Sequence, residues 1–179
     1  IPADVALAGA EIELVDVEGR ETILARALES ANARDRWDFI LIDCPPSLGM
    51  LTINALAATD AVIIPMLARY FSLEGLGALT ETISRVREAL NPELAVEGIL
   101  FCMYDPRPNL SKQVVAEVRE HFPELVYETF IPQNVRLGES PSHGKPVLLY
   151  DIESRGAQAY LNLAREVLQR IGERAQVPA

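Results

Sequence analysis

Lysine, histidine and cysteine are scarce in this chain of 179 residues, which carries Lys112 and Lys145, His121 and His143, and Cys44 and Cys102 as its sole examples of each. Two distant cysteines exclude a disulfide framework, and no Cys/His spacing suits a structural zinc site. No apolar run approaches the ~20 residues that a membrane-spanning helix needs, and no charged-then-apolar leader opens the chain, so the sequence reads as soluble and cytosolic. The glycine-rich phosphate loop G-x-x-x-x-G-K-[S/T] is also missing. Its nearest fragment, Gly144-Lys145-Pro146, lacks the upstream glycine and the hydroxyl residue. A net charge of -10, from 26 acidic and 16 basic residues, excludes a chain that coats nucleic acid with its whole surface. Any polyanion contact must be local, and the near-exclusive use of arginine among the bases suits bidentate contacts to phosphate. The chain opens on Ile1-Pro2 with no initiator methionine, as a piece of a longer protein would.

What is present is a chain 49% hydrophobic with a mean hydropathy of +0.12, enough to bury one sizeable core. Four apolar runs read as strands buried on both faces: Phe39-Ile40-Leu41-Ile42, Ala61-Val62-Ile63-Ile64, Gly98 to Met103, and the shorter Thr129-Phe130-Ile131. They end at Asp43, Pro65, Asp105 and Pro132 in turn. Between them lie helical stripes at spacings of three and four: Leu76, Leu79, Ile83, Val86 and Leu90, then Leu110, Val114, Val118 and Phe122, then Tyr160, Leu163, Val167 and Ile171. Ile23, Leu24, Ala27, Leu28 and Ala31 predict another helix that ends near Asn32. Strands alternating with helices imply an α/β fold, a mostly parallel sheet with helices on both faces in a three-layer sandwich.

Ligands of such sheets bind beyond the carboxyl ends of the strands, so the residues that stop each run are the first functional candidates. An acid directly after four apolar residues, as at Asp43, is the pattern of a Walker B aspartate that organises magnesium beside a nucleoside triphosphate. The alternative is a strand-end turn cap. After Asp43, the run Cys44-Pro45-Pro46-Ser47-Leu48-Gly49 cannot continue a strand, because tandem prolines remove donors. The segment from Trp37 to Gly49 resembles the second nucleotide motif of the ParA/Soj family of chromosome and plasmid partitioning ATPases, relatives of MinD. The resemblance continues through Leu51 to Leu56, Tyr70 to Leu76, Ile131 to Leu137, Ser140 to Pro146, Tyr150-Asp151 and Ser154 to Ala157.

That resemblance implies a P-loop NTPase-like fold of which residues 1–172 are the later, C-terminal portion of a single ATPase domain and 173–179 a polar tail. It implies ATP and magnesium as cofactors, with Asp43 as the catalytic and metal-organising acid, the latter through water. Pro45 would open a switch loop reaching Gly49, while Met103, Asp105, Pro132 and Asn134 would line the nucleotide pocket, the Asn134 amide reading an adenine edge. Arg107 and Arg136 fall where the family contacts DNA nonspecifically in its ATP-bound homodimer, and Lys112 is a further candidate; Arg119 reads as a solvated cation. A ParB-type partner would stimulate hydrolysis, with no membrane involved and a cytoplasmic, nucleoid-associated location. The family's P-loop and following acidic segment have no counterpart, and Leu67-Ala68-Arg69 reverses a charge where relatives carry an acid. The competing readings are a non-catalytic dimerisation or partner-binding module and a MinD-like ATPase. A dinucleotide-binding domain fails because Gly75-Leu76-Gly77 is followed by Thr80 in place of the third glycine.

Overall fold

The computed structural model describes residue 7 and residues 9–45 and 47–174. Two compact units divide the chain, one made of Ile1–Val62 with Gly77–Val96, the other of Ile63–Leu76 with Glu97–Ala179. Most of the net negative charge falls in the first.

In the first unit, α1 (Ala10–Glu13) is one turn long and precedes a 3-10 turn at Arg20–Thr22, then α2 (Ile23–Ser30), α3 (Ala33–Arg36) and α4 (Met50–Ala58). The predicted helix forms as α2 and ends at Ser30, with Ile23, Leu24 and Leu28 half-buried but Ala27 and Ala31 exposed; Asn32 follows in the left-handed conformation that asparagine tolerates, with φ of 46°. Nothing in the periodicity announces α4, because Met50-Leu51-Thr52-Ile53-Asn54-Ala55-Leu56-Ala57-Ala58 is apolar on nearly every side. Buried Asn54 fixes it in place: the amide donates to the carbonyls of Arg20 (2.7 Å) and Met50 (3.0 Å) and accepts from the Leu24 N–H (3.1 Å). At the other end, Asn91 donates to the carbonyls of Leu56 (3.0 Å) and Thr59 (2.8 Å), satisfying acceptors that a helix terminus leaves open.

The expected strand at Phe39–Ile42 does not form. Leu41 is 91% exposed and Phe39 54%, and the segment makes no strand pairing among the described residues. Hydrophobicity marks a segment that favours burial, but a strand also needs a hydrogen-bonded neighbour, and no described strand lies beside this one.

β1 (Ala61–Leu67) and β2 (Ala95–Cys102) pair, with α5 (Phe71–Ala89) between them in the chain. β1 runs past its expected end through Pro65 to Leu67, with the proline exposed. Along α5, Leu76, Ile83 and Val86 are buried at the predicted spacing. In β2, Gly98 through Phe101 are buried as the apolar run predicts, and so is the charged Glu97 ahead of them, whereas Cys102 is half-buried and Met103, the last residue of the run, lies exposed beyond the strand.

Beside β2 in the second unit runs the segment 125–133, which pairs in parallel at Ile99–Val126 and Tyr104–Pro132. The expected strand at Thr129–Ile131 is reduced to these isolated bridges. Glu166 accepts the N–H groups of Glu128 (2.8 Å) and Thr129 (2.9 Å), while the Ile131 N–H still donates to the Phe101 carbonyl of β2 at 2.9 Å. Glu166 belongs to the last of the helices that follow: α6 (Asn109–His121), α7 (Val135–Glu139), α8 (Val147–Tyr150) and α9 (Arg155–Arg174), with a 3-10 turn at Ser140–His143. Arg170, one turn on, pairs with Glu166 (2.9 Å), donates to the Val126 carbonyl (2.9 Å) and lies over the Tyr127 ring at 4.3 Å.

Leu100, Tyr127, Ile131 and Ala159 form the core here, with Cys102, Leu137, Leu163 and Val167 against it. Gly98 is required at this contact, because a Cβ would stand 2.5 Å from the Tyr127 ring and 2.9 Å from the Leu125 carbonyl. In α6, Val114 and Val118 are buried, whereas Leu110, the first residue of the predicted stripe, is exposed. Of the expected polar tail, residues 173 and 174 continue α9, and 175–179 lie outside the described residues.

Candidate functional site

In the first unit, Asp43 and Pro45 follow the exposed 39–42 segment. The Asp43 side chain is exposed and makes no ion pair or hydrogen bond among the described residues, which leaves both carboxylate oxygens available to a hydrated cation. Cys44 is exposed; its thiol pKa is raised by partial desolvation and by the neighbouring Asp43 charge. The chain then turns tightly, with the Ser47 N–H donating to the Pro45 carbonyl at 2.8 Å. The Thr52 hydroxyl of α4 donates to the Ser47 carbonyl at 2.6 Å and ties that turn to the helix. A nearby cleft of about 170 Å³ is lined by Leu28, Trp37, Ile40, Ile42 and Ala58. Its cation, Arg34, is already paired with Asp60 at 2.8 Å, so the cleft has no free cation to offer a triphosphate.

In the second unit, Met103 directly follows β2 with a φ of 49°, a left-handed conformation that is costly for a methionine, and its side chain is 57% exposed. Asp105 comes two residues later, and the Tyr104–Pro132 bridge brings Pro132 alongside. The sequence candidates Met103, Asp105 and Pro132 thus share one strand end. Asp105 is not free, because Arg107 clasps it. The guanidinium donates from Nη2 to Oδ2 at 2.7 Å and from Nε to Oδ1 at 2.9 Å, and the Arg107 N–H adds a bond of 3.0 Å. These bonds, side-chain and then backbone, lower the Asp105 pKa to about 2.

Asn134 caps α7, its Oδ1 accepting the Arg136 N–H at 2.9 Å, which engages one lone pair of that oxygen and leaves the Nδ2 donors open to a ligand. Arg136 pairs with Glu139 (2.9 Å) and Asp151 (3.1 Å), and the Tyr150 hydroxyl also donates to Glu139 (3.2 Å). His143 stacks on Tyr150 with ring centres 4.9 Å apart. Lys112 on α6 is exposed and makes no ion pair among the described residues. Arg119, expected to be a solvated cation, pairs with Glu128 at 3.0 Å and lies over Phe130.

The residues present meet the requirements of a nucleotide and magnesium in part. One unengaged carboxylate suits a hydrated magnesium, and the Asn134 amide donors suit a base edge, while no phosphate cradle occurs in the sequence. Among the described residues no three metal-ligating side chains converge, and no helix is long and apolar enough to cross a membrane.

The profile of the AAA domain family matches residues 1–96. The sporulation initiation inhibitor protein Soj of Bacillus subtilis is 56% identical over 93% of this chain, which spans 65% of that relative's length. The chromosome-partitioning ATPase Soj of Treponema pallidum is 50% identical over 97% of this chain and 68% of its own length. Among solved structures, the cobyrinic acid a,c-diamide synthase of Mycobacterium smegmatis with bound ADP and magnesium superposes with a TM-score of 0.78 at 35% identity, covering 99% of this chain and 65% of that one. The fold is α/β with a parallel sheet, of the P-loop NTPase kind. The chain belongs to the ParA/Soj family of chromosome-partitioning ATPases.

Proposed function

We propose that the complete protein is an ATP-driven switch for segregating DNA, a chromosome or a plasmid. Identity of 56% to a Soj protein over 93% of the chain carries this reading. The whole activity is a proposal for the full-length protein, because this chain spans about two thirds of that relative.

In this reading Asp43 is the catalytic and metal-organising acid, acting through water on magnesium. The ion, when bound, would neutralise charge developing on the terminal phosphate. The chain's own residues do the rest. Asp43 holds and orients water, and the turn that begins at Pro45 senses the phosphate. Met103, Pro132 and the Nδ2 donors of Asn134 meet the base. Asp105 supports that pocket by holding Arg107 rather than by touching ligand directly, since its oxygens are already taken.

ATP would drive homodimerisation, the dimer would hold DNA through phosphates, and a ParB-type partner would stimulate hydrolysis and release, in the cytoplasm on the nucleoid. Lys112 is ready for a phosphate as it stands. Arg107 and Arg136 must exchange a carboxylate for one, a near-even trade at an exposed site. The test is retention of DNA by the full-length protein with ATP and magnesium, against ADP and against no nucleotide. Retention with ATP alone supports the proposal. Equal retention in all three, or none in any, contradicts it.

A further inference from the structure

Glu11 and Gly49 meet in the first unit at the amino end of α4. The Glu11 Oε1 is buried and has no hydrogen-bond partner, a costly state for a carboxylate oxygen. It faces the α-carbon of Gly49. A Cβ there would fall on Oε1 itself and lie 3.0 Å from the Glu11 Cδ and 3.3 Å from Oε2. The backbone of Gly49 does not call for glycine, because φ of -79° and ψ of -174° is an extended conformation open to any residue. The Glu11 carboxylate occupies the space beside the Gly49 α-carbon, and any side chain at position 49 would have to displace it.

Gly49 is also the N-cap of α4, and no side chain caps the helix there. The first N–H groups of a helix lack partners and carry partial positive charge, so a carboxylate held beside them from another element is favoured. Glu11 is held by α1, whose last turn closes with the Leu14 N–H on the Ala10 carbonyl at 2.9 Å. The turn at Ser47 leads directly into this contact, and Thr52 ties it to the same helix.

We propose that Glu11 is a positioning residue for the turn that precedes α4: its carboxylate sets where Ser47, Leu48 and Gly49 lie. The orphaned oxygen gives that turn a second position. A small shift brings a backbone N–H of the helix start onto Oε1, so the turn moves between two arrangements that differ by one charge-assisted bond. The proposal rests on the reading of this turn as the phosphate sensor, and it deepens that reading by naming what the sensor moves against.

The test uses the full-length protein, with ATP and magnesium as the probe, and the variants Glu11→Gln, Gly49→Ala and Gly49→Ala with Glu11→Ala. Glu11→Gln keeps the size of the side chain and removes the charge. It is expected to lower kcat for ATP hydrolysis about fivefold or more with KM for ATP within about twofold and the melting temperature nearly unchanged. Amide exchange at Leu48–Leu51 without nucleotide should quicken. Gly49→Ala should lower the melting temperature, and adding Glu11→Ala should recover part of that loss, because the crowded carboxylate is gone. Wild-type kcat and exchange in Glu11→Gln would overturn the proposal, as would strictly additive effects in the double variant. A wild-type protein that turns over no ATP would contradict the functional reading instead, and the exchange and melting results would still decide the role of Glu11.

Discussion

Asp105 and Arg107 lie two residues apart and close on each other through both carboxylate oxygens, holding the loop after β2 in one shape. Because folding depresses the Asp105 pKa from 3.8 to about 2, the clasp is fully present above the ordinary value and is lost as the pH falls through about 2. Arg107→Ala should return that carboxyl toward 3.8, read as a shift in its NMR titration; a titration still near 2 would show that another group holds it. For DNA, Lys112 enters without breaking a bond, whereas Arg136 first leaves Glu139 and Asp151. In the ATP-bound full-length protein, Lys112→Ala should reduce the log-log salt slope of DNA affinity by about 0.9, the value of one phosphate contact, for every DNA sequence alike. Arg136→Ala should weaken affinity less at low salt and leave nucleotide affinity unchanged. Unaltered affinity and slope in both variants would return these residues to the ordinary surface.

Among the elements, the amphipathic helices were the most legible. α5 follows its three-and-four spacing; in α9 Leu163 and Val167 pack on the core while Tyr160 and Ile171 at the ends of the stripe are exposed, and in α6 Leu110 of the first turn is exposed and Phe122 falls just past the helix end. α4 was hidden by being apolar all round, and its anchor Asn54 is a polar residue whose partners are local in space and distant in sequence. Asn54→Ala should destabilise the protein by about 2 kcal/mol in denaturant unfolding, because the Leu24 N–H loses its acceptor inside the fold. The bridge-only pairing of 125–133 with β2 was equally illegible, since the competing acceptor, Glu166, comes 38 residues after Glu128. Burial by itself would raise the Glu166 pKa, but the Glu128 and Thr129 N–H groups and Arg170 outweigh it, and the net direction is down. This contribution is present above the ordinary glutamate pKa and fades as the pH falls below it. Glu166→Gln should therefore cost about 1–3 kcal/mol at pH 7 and less at pH 4, measured by urea unfolding. A pH-independent loss would assign the effect to packing.

For the whole molecule, the motif residues were legible because they are contiguous, from Asp43 to Gly49 and from Ile131 to Leu137. Their present engagements were not. The partners of Arg136 lie three and fifteen residues along, and the orphaned Glu11 oxygen carries no sequence signal at all. The run at Phe39–Ile42 was read correctly as apolar and wrongly as a strand, since composition does not supply the neighbour that a strand must pair with. In the proposed reading, Asp43 organises magnesium and water for ATP hydrolysis in the complete protein. The direct measurement is steady-state ATP turnover with magnesium by full-length wild type and Asp43→Asn, alongside melting curves for both. The expected result is turnover by the wild type and a loss on the order of a hundredfold or more in the variant, whose neutral amide holds the ion's water shell poorly, with the melting temperature unchanged. Equal turnover by the two proteins, or none by the wild type, would contradict it.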